Sequence, residues 1–515
     1  MFVYTNALVA VALLAAITSA QSSSGSDSEA CSSTLTADYA APSVASGYAA
    51  RLIATGLTSP RGIKFDTEGN LLVVEEGVGI TALRLSTGSG SCVSVASQEA
   101  VISDESLNHG IEISLDGNIL YASNSNELYS WSYSPQERRA TSNATVLVQN
   151  MEGTDHTSRT LLLSQSAPGM IVVNRGSFEN IDLEAKDIES GHGQVKAFNI
   201  SDTASPLDFN SDGVLLGWGL RNDVGIAEEP NTGGIWSVEN SGDQLSRSGE
   251  DIHENNPAEK LNFLGYLNGT KSSNQGQNFG YPDCFAAWEA DDIPDFDGVA
   301  GAQFAPNTQN DTNNDSICED RVAPRLVFQA HMAPLDIKFD ANGTRAWISF
   351  HGSWNRDDPV GYKVSVVEFA NGEPVDASDS MTAAIDIVSN ADNSACPDNC
   401  FRPVGLAWDG NGRLFLSSDS TGEIYVVTRE EGMLSCSVSA RFMQADLGIP
   451  QGRRQMRRRW ALTVMLMGRP RRLHPRQRTV PRRTTLTAWV HLLWCFVRWP
   501  SSLEYACLHF LDARK

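Results

Sequence analysis

The sequence predicts an all-β protein, a six-bladed β-propeller. A unit made of an alternating strand, a Gly- or Asn-containing turn and a second apolar strand recurs along a chain with little helical periodicity. Six copies can be recognised, at intervals of about 45 to 115 residues. Four-stranded sheets arranged radially accommodate such a repeat, whereas a β-solenoid would require a shorter and more regular period.

Each unit is recognised by its turn. The most regular copies place Asp-x-x-Gly or Asn-Gly between the two strands, which is the pattern of a β-hairpin. These copies cover residues 59–74, 108–121, 333–348 and 402–416, and two looser copies cover residues 155–173 and 219–238. The units begin near Arg61, His109, His156, Arg221, Pro334 and Arg402.

Five of these six unit heads are Arg or His. Because the innermost strands of a propeller all start at the same channel mouth, we expect these side chains to converge on one axis. Ordinary strand starts exposed to solvent are the alternative, but they would not require the same residue types at successive heads. The heads therefore indicate a cationic site at the centre of the ring.

Charge divides the chain into an acidic body and a basic tail. Residues 1–435 carry 23 basic and 59 acidic side chains, and residues 436–515 carry 16 basic and 3 acidic ones. So acidic a body repels polyanions, which excludes nucleic acid and anionic membranes as partners. The tail, residues 431–515, contains no repeat unit, so we expect disorder or a misread reading frame there, with an anionic-surface anchor as the alternative.

The N-terminus predicts secretion. Residues 8–16 form a nearly unbroken apolar run, and small residues suited to signal peptidase follow, so residues 1–20 are expected to be a signal peptide. Residues 21–47 are expected to be a flexible Ser/Ala-rich lead-in to a propeller at residues 48–430. Six Asn-x-Ser/Thr sequons agree with an extracellular glycoprotein. They are Asn143, Asn199, Asn268, Asn310, Asn314 and Asn342.

Six of the nine cysteines lie in the body, which in an oxidising compartment predicts three disulfides. We expect sequence neighbours to pair, although six cysteines allow fifteen connectivities. The expected pairs are Cys31–Cys92, Cys284–Cys318 and Cys396–Cys400. The last spacing could also imitate a metal site, but no second such pair exists in the sequence, which favours a small looped disulfide.

His156 is the candidate general base. It stands at a unit head in Thr154-Asp155-His156-Thr157-Ser158-Arg159, beside other central cations, and imidazole titrates close to neutral pH. A structural role is the alternative, as for any single histidine. His109 stands at another head and is a second candidate.

A polar and aromatic string follows the second strand of the fifth unit. Phe350-His351-Gly352-Ser353-Trp354-Asn355-Arg356 brings an imidazole, an indole and a guanidinium back to the channel mouth. Trp offers a flat face for a sugar or an aromatic cofactor, and Arg can bind a carboxylate through two hydrogen bonds. Polar residues outnumber apolar ones in this string, so it indicates function rather than core packing.

Several arginines that converge in an acidic protein imply an anionic ligand, because buried charges are costly when unpaired. Arg61, Arg402 and the pair Arg221-Asn222 are the candidates. A polycarboxylate cofactor would explain them, whereas a neutral sugar alone would not.

Residues 251–262 combine Asp, Glu and Asn side chains, which suit Ca²⁺ as a hard cation, but a solvated acidic loop would look the same. The segment lacks EF-hand spacing. The sequence also lacks a Walker loop, a convincing dinucleotide-binding glycine pattern and a His-Glu-x-x-His zinc motif.

Five motifs occur in the same order as in the soluble quinoprotein glucose/sorbosone dehydrogenase family, which the chain resembles over roughly residues 48–428. The most specific motif is His351-Gly352-Ser353-Trp354-Asn355-Arg356, and the others lie at residues 154–159, 220–222, 278–282 and 402–405. The chain most resembles the fungal secreted branch, the pyrroloquinoline quinone (PQQ)-dependent pyranose dehydrogenases.

The resemblance implies a six-bladed propeller that binds PQQ and Ca²⁺ at the mouth of its central channel. It implies that His156 takes the proton of a sugar hydroxyl while hydride passes to the quinone, and we expect His351 and Arg221 to be catalytic as well. The expected cofactor-binding residues are Arg61, His109, Asn222, Trp354, Arg356 and Arg402. The expected calcium site comprises Asn256, Pro257 and Glu259.

We therefore expect a secreted PQQ-dependent sugar dehydrogenase that oxidises a pyranose, an aldose or an osone. Its expected partners are the sugar and an external electron acceptor, which could be a quinone, a cytochrome or another secreted redox enzyme. A calcium-dependent lactonase or esterase is one alternative. A non-catalytic glycan-binding propeller is the other, because one fold serves many functions.

Overall fold

Six antiparallel sheets are arranged around a common centre, which confirms the predicted six-bladed β-propeller. The computed structural model describes residues 31, 35–88, 90–201, 204–307, 310 and 314–430. The expected signal peptide (residues 1–20) and basic tail (residues 431–515) lie outside these residues. Across the described ranges, no helix is long and apolar enough to cross a membrane.

Each blade begins with its innermost strand, and the six innermost strands contact one another in a ring. Blade 1 contains Pro60–Phe65, Leu71–Glu75, Gly79–Thr87 and Val93–Ser103; blade 2 contains Ile111–Ile113, Ile119–Ser123, Leu128–Ser134 and Thr145–Gln149; blade 3 contains Leu161–Leu163, Met170–Arg175, Gln194–Asn199 and Val214–Trp218. Blade 4 contains Asp223–Glu228, Gly234–Glu239, Glu259–Tyr266 and Leu326–Phe328; blade 5 contains Pro334–Phe339, Arg345–Phe350, Lys363–Ala370 and Ile385–Ser389; blade 6 contains Pro403–Trp408, Leu414–Ser418, Glu423–Arg429 and Tyr48–Ala54.

Short strands and 3-10 helices lie outside the four-stranded blades. Further strands extend or flank the blades at Ser43–Val44, Arg139–Ala140, Leu207–Asp208, Gln277–Asn278 and Glu373–Pro374, and two small hairpins pair Ser246–Arg247 with Glu250–Asp251 and Phe285–Ala286 with Gln303–Phe304. Short 3-10 helices occur at Leu183–Lys186, Ile188–Ser190, Ala290–Asp292, Asp315–Cys318 and Asn393–Ala395.

Aspartates close the turns that reveal the repeat. In blade 1, Asp66 Oδ1 accepts hydrogen bonds from the backbone N–H groups of Glu68 (3.0 Å) and Asn70 (2.8 Å). Asp409 plays the same part in blade 6, where its Oδ1 accepts from the N–H of Arg413 at 2.8 Å. An aspartate that bonds its own downstream backbone fixes a tight turn locally, which is why these hairpins can be read from the sequence.

Glycines allow the innermost strands to approach closely. A Cβ atom at Gly62 would lie 2.1 Å from the carbonyl oxygen of His109, and one at Gly110 would lie 2.1 Å from that of Arg159. Since any side chain would clash there, glycine is required directly after the heads Arg61 and His109. The close packing draws the heads of neighbouring blades together at the channel.

The three expected disulfides, Cys31–Cys92, Cys284–Cys318 and Cys396–Cys400, are all present. Of the expected flexible lead-in at residues 21–47, the structure describes residue 31 and residues 35–47. Its Ser43–Val44 strand pairs with Ile385–Ser389 of blade 5, and Tyr39 donates a hydrogen bond to the carboxylate of Glu423. Sheet pairing, the hydrogen bond of Tyr39 and the Cys31–Cys92 bond therefore hold the described residues, 31 and 35–47, on the propeller.

Candidate functional site

A cavity of about 370 Å³ opens near the starts of the innermost strands. This volume lies within the range of small-molecule sites, about 300–1,000 Å³. Its polar and aromatic lining includes His156, Arg221, Asn222, Ser241, Asp243, Glu259, His331, His351, Trp354, Asn355 and Arg402. Blades 3, 4, 5 and 6 contribute these side chains, so the cavity is an assembly of several units.

His156 lies on the cavity wall with a defined tautomer. Its Nδ1 is 2.9 Å from both the carbonyl oxygen and the Oγ of Ser177. A carbonyl can only accept a hydrogen bond, so Nδ1 carries the proton and Nε2 carries the lone pair. Burial and the nearby charge of Arg221 lower the pKa of His156 to about 4. The imidazole is therefore neutral near pH 7 and able to accept a proton.

Asp243 connects three side chains of the cavity. Its Oδ2 accepts a hydrogen bond from Arg221 Nη2 at 2.9 Å, and its Oδ1 accepts one from Asn355 Nδ2 at 3.0 Å. His331 Nδ1 lies 3.5 Å from the same Oδ1. Burial opposes ionisation of Asp243, but the hydrogen bond to His331 and the charge of Arg221 lower its pKa overall. An ionised Asp243 thus links blade 4 to the loop of blade 5.

Arg221 is held rigidly. Besides Asp243, its guanidinium donates to the side-chain oxygen of Asn180 at 2.9 Å and to the backbone oxygens of Asn180 and Asn240. Its side chain is only 5% exposed. Because so many donors are used, Arg221 presents a fixed positive charge to the cavity rather than a free fork of donors.

A second ionic group lies below the cavity and joins three blades. His351 Nε2 is 2.8 Å from Asp419 Oδ1, and Arg61 Nη1 is 2.6 Å from Asp419 Oδ2. Burial lowers the pKa of His351, although Asp419 counteracts this effect. Neutral His351 therefore donates from Nε2 and has its lone pair on Nδ1.

Arg402 and Trp354 border the cavity on the side of blades 5 and 6. The guanidinium of Arg402 donates to the backbone oxygens of His351 (3.2 Å) and Gly352 (2.9 Å) and lies 5.7 Å from the ring centre of Tyr362. Trp354 leaves 67% of its surface exposed. A positive group and an open indole face are thus available at the mouth.

Glu259 and His331 form the wall of the cavity at blades 4 and 5. The carboxylate of Glu259 accepts hydrogen bonds from the backbone N–H groups of Ser241 (2.7 Å) and Ala333 (3.1 Å). Burial raises the pKa of Glu259 to about 7. His331 and Ala333 both have positive φ angles, 69° and 53°, so the backbone is strained beside the cavity.

Several buried oxygens of the cavity lining lack hydrogen-bond partners within the described part of the chain. They are the Oδ1 atoms of Asn222 and Asn355 and the Oγ of Ser241. An unpaired buried polar atom costs about 1–3 kcal/mol, so these atoms favour a polar ligand.

The cavity brings together seven of the twelve residues singled out from the sequence: His156, Arg221, Asn222, Glu259, His351, Trp354 and Arg402. Five do not line it. Arg61 is paired with Asp419, and His109 is buried nearby, where burial and the charge of Arg61 hold its pKa well below the usual value.

The remaining three lie in neighbouring loops. Arg356 lies 3.6 Å from Glu254 and donates to the backbone oxygen of Asp358. The side chain of Asn256 bonds the backbone of Glu289 and Trp288, and neither Asn256 nor the adjacent Pro257 lines the cavity. Of the expected calcium ligands, only Glu259 lines the cavity.

Sequence reasoning missed Asp243, His331 and Asp419. His331 stands three residues before Pro334, the only unit head that is neither Arg nor His. A search for a histidine or arginine a few residues before that head would have revealed it. Asp243 and Asp419 lie in loops after the second strands of blades 4 and 6, where no local pattern distinguishes them from other loop carboxylates.

The fold and the cavity define a propeller protein with a small-molecule site at the mouth of its central channel, lined by histidines, arginines and carboxylates. The chain belongs to the TrAA12-like family, whose model matches residues 42–430.

Relatives named for their activity match the same region. A Hypocrea jecorina protein named PQQ-dependent sugar dehydrogenase is 49% identical over 396 residues, which cover 76% of this chain and 90% of the relative. A Coprinopsis cinerea protein named PQQ-dependent pyranose dehydrogenase is 40% identical, and the match covers 76% of this chain but only 55% of that protein. A solved structure, the calcium structure of a Trichoderma reesei family AA12 enzyme, is 48% identical with a TM-score of 0.75 and covers 78% of this chain and 100% of that chain.

Proposed function

We propose that this protein is a secreted PQQ-dependent sugar dehydrogenase that oxidises a pyranose, an aldose or an osone. The observation that carries the proposal is that a neutral His156, with its lone pair on Nε2, shares one cavity with the guanidinium groups of Arg221 and Arg402. The names of the relatives support the same reaction class.

The cavity residues fit a planar polycarboxylate. When bound, PQQ supplies a quinone that accepts hydride from the sugar. Within the described residues, Arg402 Nη1 has no hydrogen-bond partner, so it can donate to a carboxylate of the cofactor. Trp354 offers an exposed flat face, and the unpartnered oxygens of Asn222 and Asn355 can accept hydrogen bonds from sugar hydroxyls.

His156 acts as the general base in this proposal. A sugar hydroxyl loses hydride from its carbon slowly unless a base removes the hydroxyl proton, and such assistance contributes about 10²–10⁴-fold to the rate. Ser177 holds the Nδ1–H of His156, which leaves Nε2 to take the proton. Arg221, fixed by Asp243 and Asn180, stabilises negative charge that develops on oxygen in the cavity.

The calcium part of the proposal rests on oxygen donors. Ser241 Oγ is unpartnered within the described residues, and Glu259 adds a carboxylate to the same wall. No group of three or more His, Cys, Asp or Glu side chains is placed to hold a metal within the described residues. Neutral amide, hydroxyl and carbonyl oxygens, which Ca²⁺ accepts readily, would therefore make up most of the protein's ligands.

Secretion and the electron acceptor complete the proposal. The apolar N-terminal segment, six sequons and three disulfides support an extracellular location. An external quinone, cytochrome or secreted redox enzyme would reoxidise the cofactor, since sugar oxidation leaves two electrons on it.

Reconstitution of the purified full-length chain tests this function. The protein is incubated with PQQ and CaCl₂, and a panel of pyranoses is assayed with an artificial electron acceptor. We expect saturable PQQ binding and sugar oxidation that depends on PQQ. Failure to bind PQQ at micromolar concentration would overturn the proposal.

Two further assays identify the alternatives. Turnover of esters or lactones without PQQ would instead identify a calcium-dependent hydrolase. Glycan binding that persists after His156→Ala and His351→Ala, in the absence of oxidation, would identify a binding protein.

A further inference from the structure

A groove of about 330 Å³ lies between blades 5 and 6, near the turns at residues 340–343 and 409–412. We call it the aromatic groove; its wall includes Tyr48, Trp347, Trp408, Leu414 and Val427. The turns end the innermost strands whose starts border the cavity. At about 3.3 Å per residue, six-residue strands separate the groove from the cavity mouth by roughly 20 Å.

The aromatic rings of this groove are arranged edge to face. Trp347 and Trp408 have ring centres 5.4 Å apart at 90°, and Tyr48 lies 5.7 Å from Trp347 at 75°. The indole Nε1 atoms of both tryptophans are buried without a hydrogen-bond partner in the described part of the chain. An indole N–H can only donate, so a bound ligand would have to supply an acceptor atom to each of them. The wall therefore suits a ligand with an apolar face and accessible oxygens.

The sequon at Asn342 lines the same groove. Asn342 is exposed, and its backbone oxygen is anchored by Asn231 Nδ2 at 2.7 Å. Gly343 has a φ of 64°, and Thr344 Oγ1 donates to Asp340 at 2.8 Å, so the turn is well defined. A sugar attached to Asn342 is thereby placed next to the aromatic wall.

We propose that Asn342 carries an N-linked glycan whose first N-acetylglucosamine occupies the aromatic groove. In the modification, a bond forms between Asn342 Nδ2 and C1 of the sugar. The bond between C1 and the diphosphate of a lipid-linked oligosaccharide breaks, and the Nδ2 proton leaves with the diphosphate. The apolar face of the sugar packs on the indole rings, and its acetamide and hydroxyl oxygens accept hydrogen bonds from the unpaired indole N–H groups. The proposal rests on secretion and is independent of the chemistry at the cavity.

Asn268 provides a matched control within the same chain. It has the same Asn-Gly-Thr sequence, is exposed, and is followed by a glycine with a positive φ of 89°. Its Nδ2 donates to the backbone oxygen of Thr232 at 2.9 Å, at the end of a blade 4 strand.

The test measures how fast an amidase that cleaves at the asparagine–sugar bond releases each glycan. The full chain is secreted from a yeast host, and conversion of each Asn to Asp is followed by mass spectrometry. In the native protein we expect release at Asn342 to be about tenfold slower than at Asn268, because the first sugar is packed and hydrogen-bonded. After denaturation the two rates should become equal. Absence of a glycan at Asn342, or equal rates in the native state, would overturn the proposal.

Two variants sharpen the result. Trp408→Phe keeps an aromatic ring but removes one indole N–H, so it should speed native release at Asn342 and leave Asn268 unchanged. Asn342→Gln should lower the melting temperature of the secreted protein by about 2 °C more than Asn268→Gln does, and this difference should vanish in protein made without glycosylation. PQQ-dependent sugar oxidation by the same preparations shows separately whether the proposed function holds.

Discussion

Asp419 Oδ1 lies 2.8 Å from Nε2 of His351, across the junction of blades 5 and 6. The other oxygen of the same carboxylate bonds Arg61 of blade 1 at 2.6 Å. One loop carboxylate thus fixes the tautomer of a cavity histidine and neutralises an arginine in the channel. The sequence predicted His351 as a site residue, but no sequence pattern revealed Asp419 as its partner.

Asp419→Asn should destabilise the propeller, because it leaves the Arg61 charge buried without a counter-charge. Removing one partner of a buried ion pair costs about 3–5 kcal/mol, and both side chains here are nearly buried, at 13% and 11% exposure. Urea unfolding of the cofactor-free protein measures the change. Asp386→Asn is the control, since its pair with Lys363 is far more exposed and should be worth about 0–1 kcal/mol. Equal effects of the two substitutions would contradict this account.

His156→Ala should reduce the rate of sugar oxidation by about 10²–10⁴-fold, because the base that takes the hydroxyl proton is lost. Affinity for PQQ should change little, since the arginines supply the positive charge. Steady-state kinetics together with a PQQ titration separate the two effects. Near-normal turnover would show that the base lies elsewhere, with His351 as the next candidate.

The pH dependence of turnover follows from the depressed pKa of His156, about 4. The base must be neutral, so turnover should stay high as the pH falls from 7 to 5 and decline below about pH 4. A profile of kcat/KM against pH measures this decline, because kcat/KM follows the groups of the enzyme before sugar binds. A decline centred near pH 6.5 would indicate that His156 is not buried beside a cation in the working enzyme.

Arg402→Ala should weaken PQQ binding by at least about tenfold, because a hydrogen bond to a charged group contributes about 1.5–3 kcal/mol. Arg356→Ala is the informative comparison. The sequence assigned both arginines to cofactor binding, yet Arg356 is engaged by Glu254 and Asp358 outside the cavity lining. We expect it to change affinity less than twofold in a fluorescence titration; a loss as large as that of Arg402→Ala would show that Arg356 moves into the site.

Asp223→Asn should flatten the loss of stability that occurs as the pH rises from about 4 to about 8. Burial and the nearby charge of Glu239 raise the pKa of Asp223 to about 8, and its Oδ2 has no partner among the described residues. The group is protonated in the fold but ionised in the unfolded chain above about pH 4, so its contribution is lost as the pH rises towards 8. One such proton changes the free energy of unfolding by about 1.4 kcal/mol per pH unit.

Unfolding of wild type and Asp223→Asn between pH 5 and 9 measures that difference directly. The substitution leaves His156 in place, so the opposite titration of His156 cancels between the two proteins. Parallel stability curves would show that Asp223 is already ionised in the folded protein at neutral pH.

The inner half of the propeller could be predicted from the sequence because local chemistry defines it. Asp66 and Asp409 close their own turns within four residues. The strands next to these turns show the alternation of apolar and polar residues in the sequence. The heads of the units then converge because the ring brings them together. The sequence alone therefore places His156, Arg221 and Arg402 at one mouth.

The remainder of the site depends on contacts between distant parts of the chain. The sequence gives no reason to prefer Arg402 over Arg61 as a cofactor ligand. In the structure, Arg61 is paired with Asp419, 358 residues away, and does not line the cavity. Asp243 likewise gains its role from Asn355, 112 residues away. Irregular loops set these distances, and no periodicity encodes them.

The pairing of Tyr48–Ala54 with Glu423–Arg429 has a consequence for synthesis of the protein. The first strand leaves the ribosome long before its partner has been made. At about 5–20 residues per second, the delay is on the order of tens of seconds. Throughout that interval the strand has an unpaired edge, and blades 1 to 5 can assemble only as an open arc. Closure of the ring is therefore a late event, which requires almost all of the described chain to have emerged.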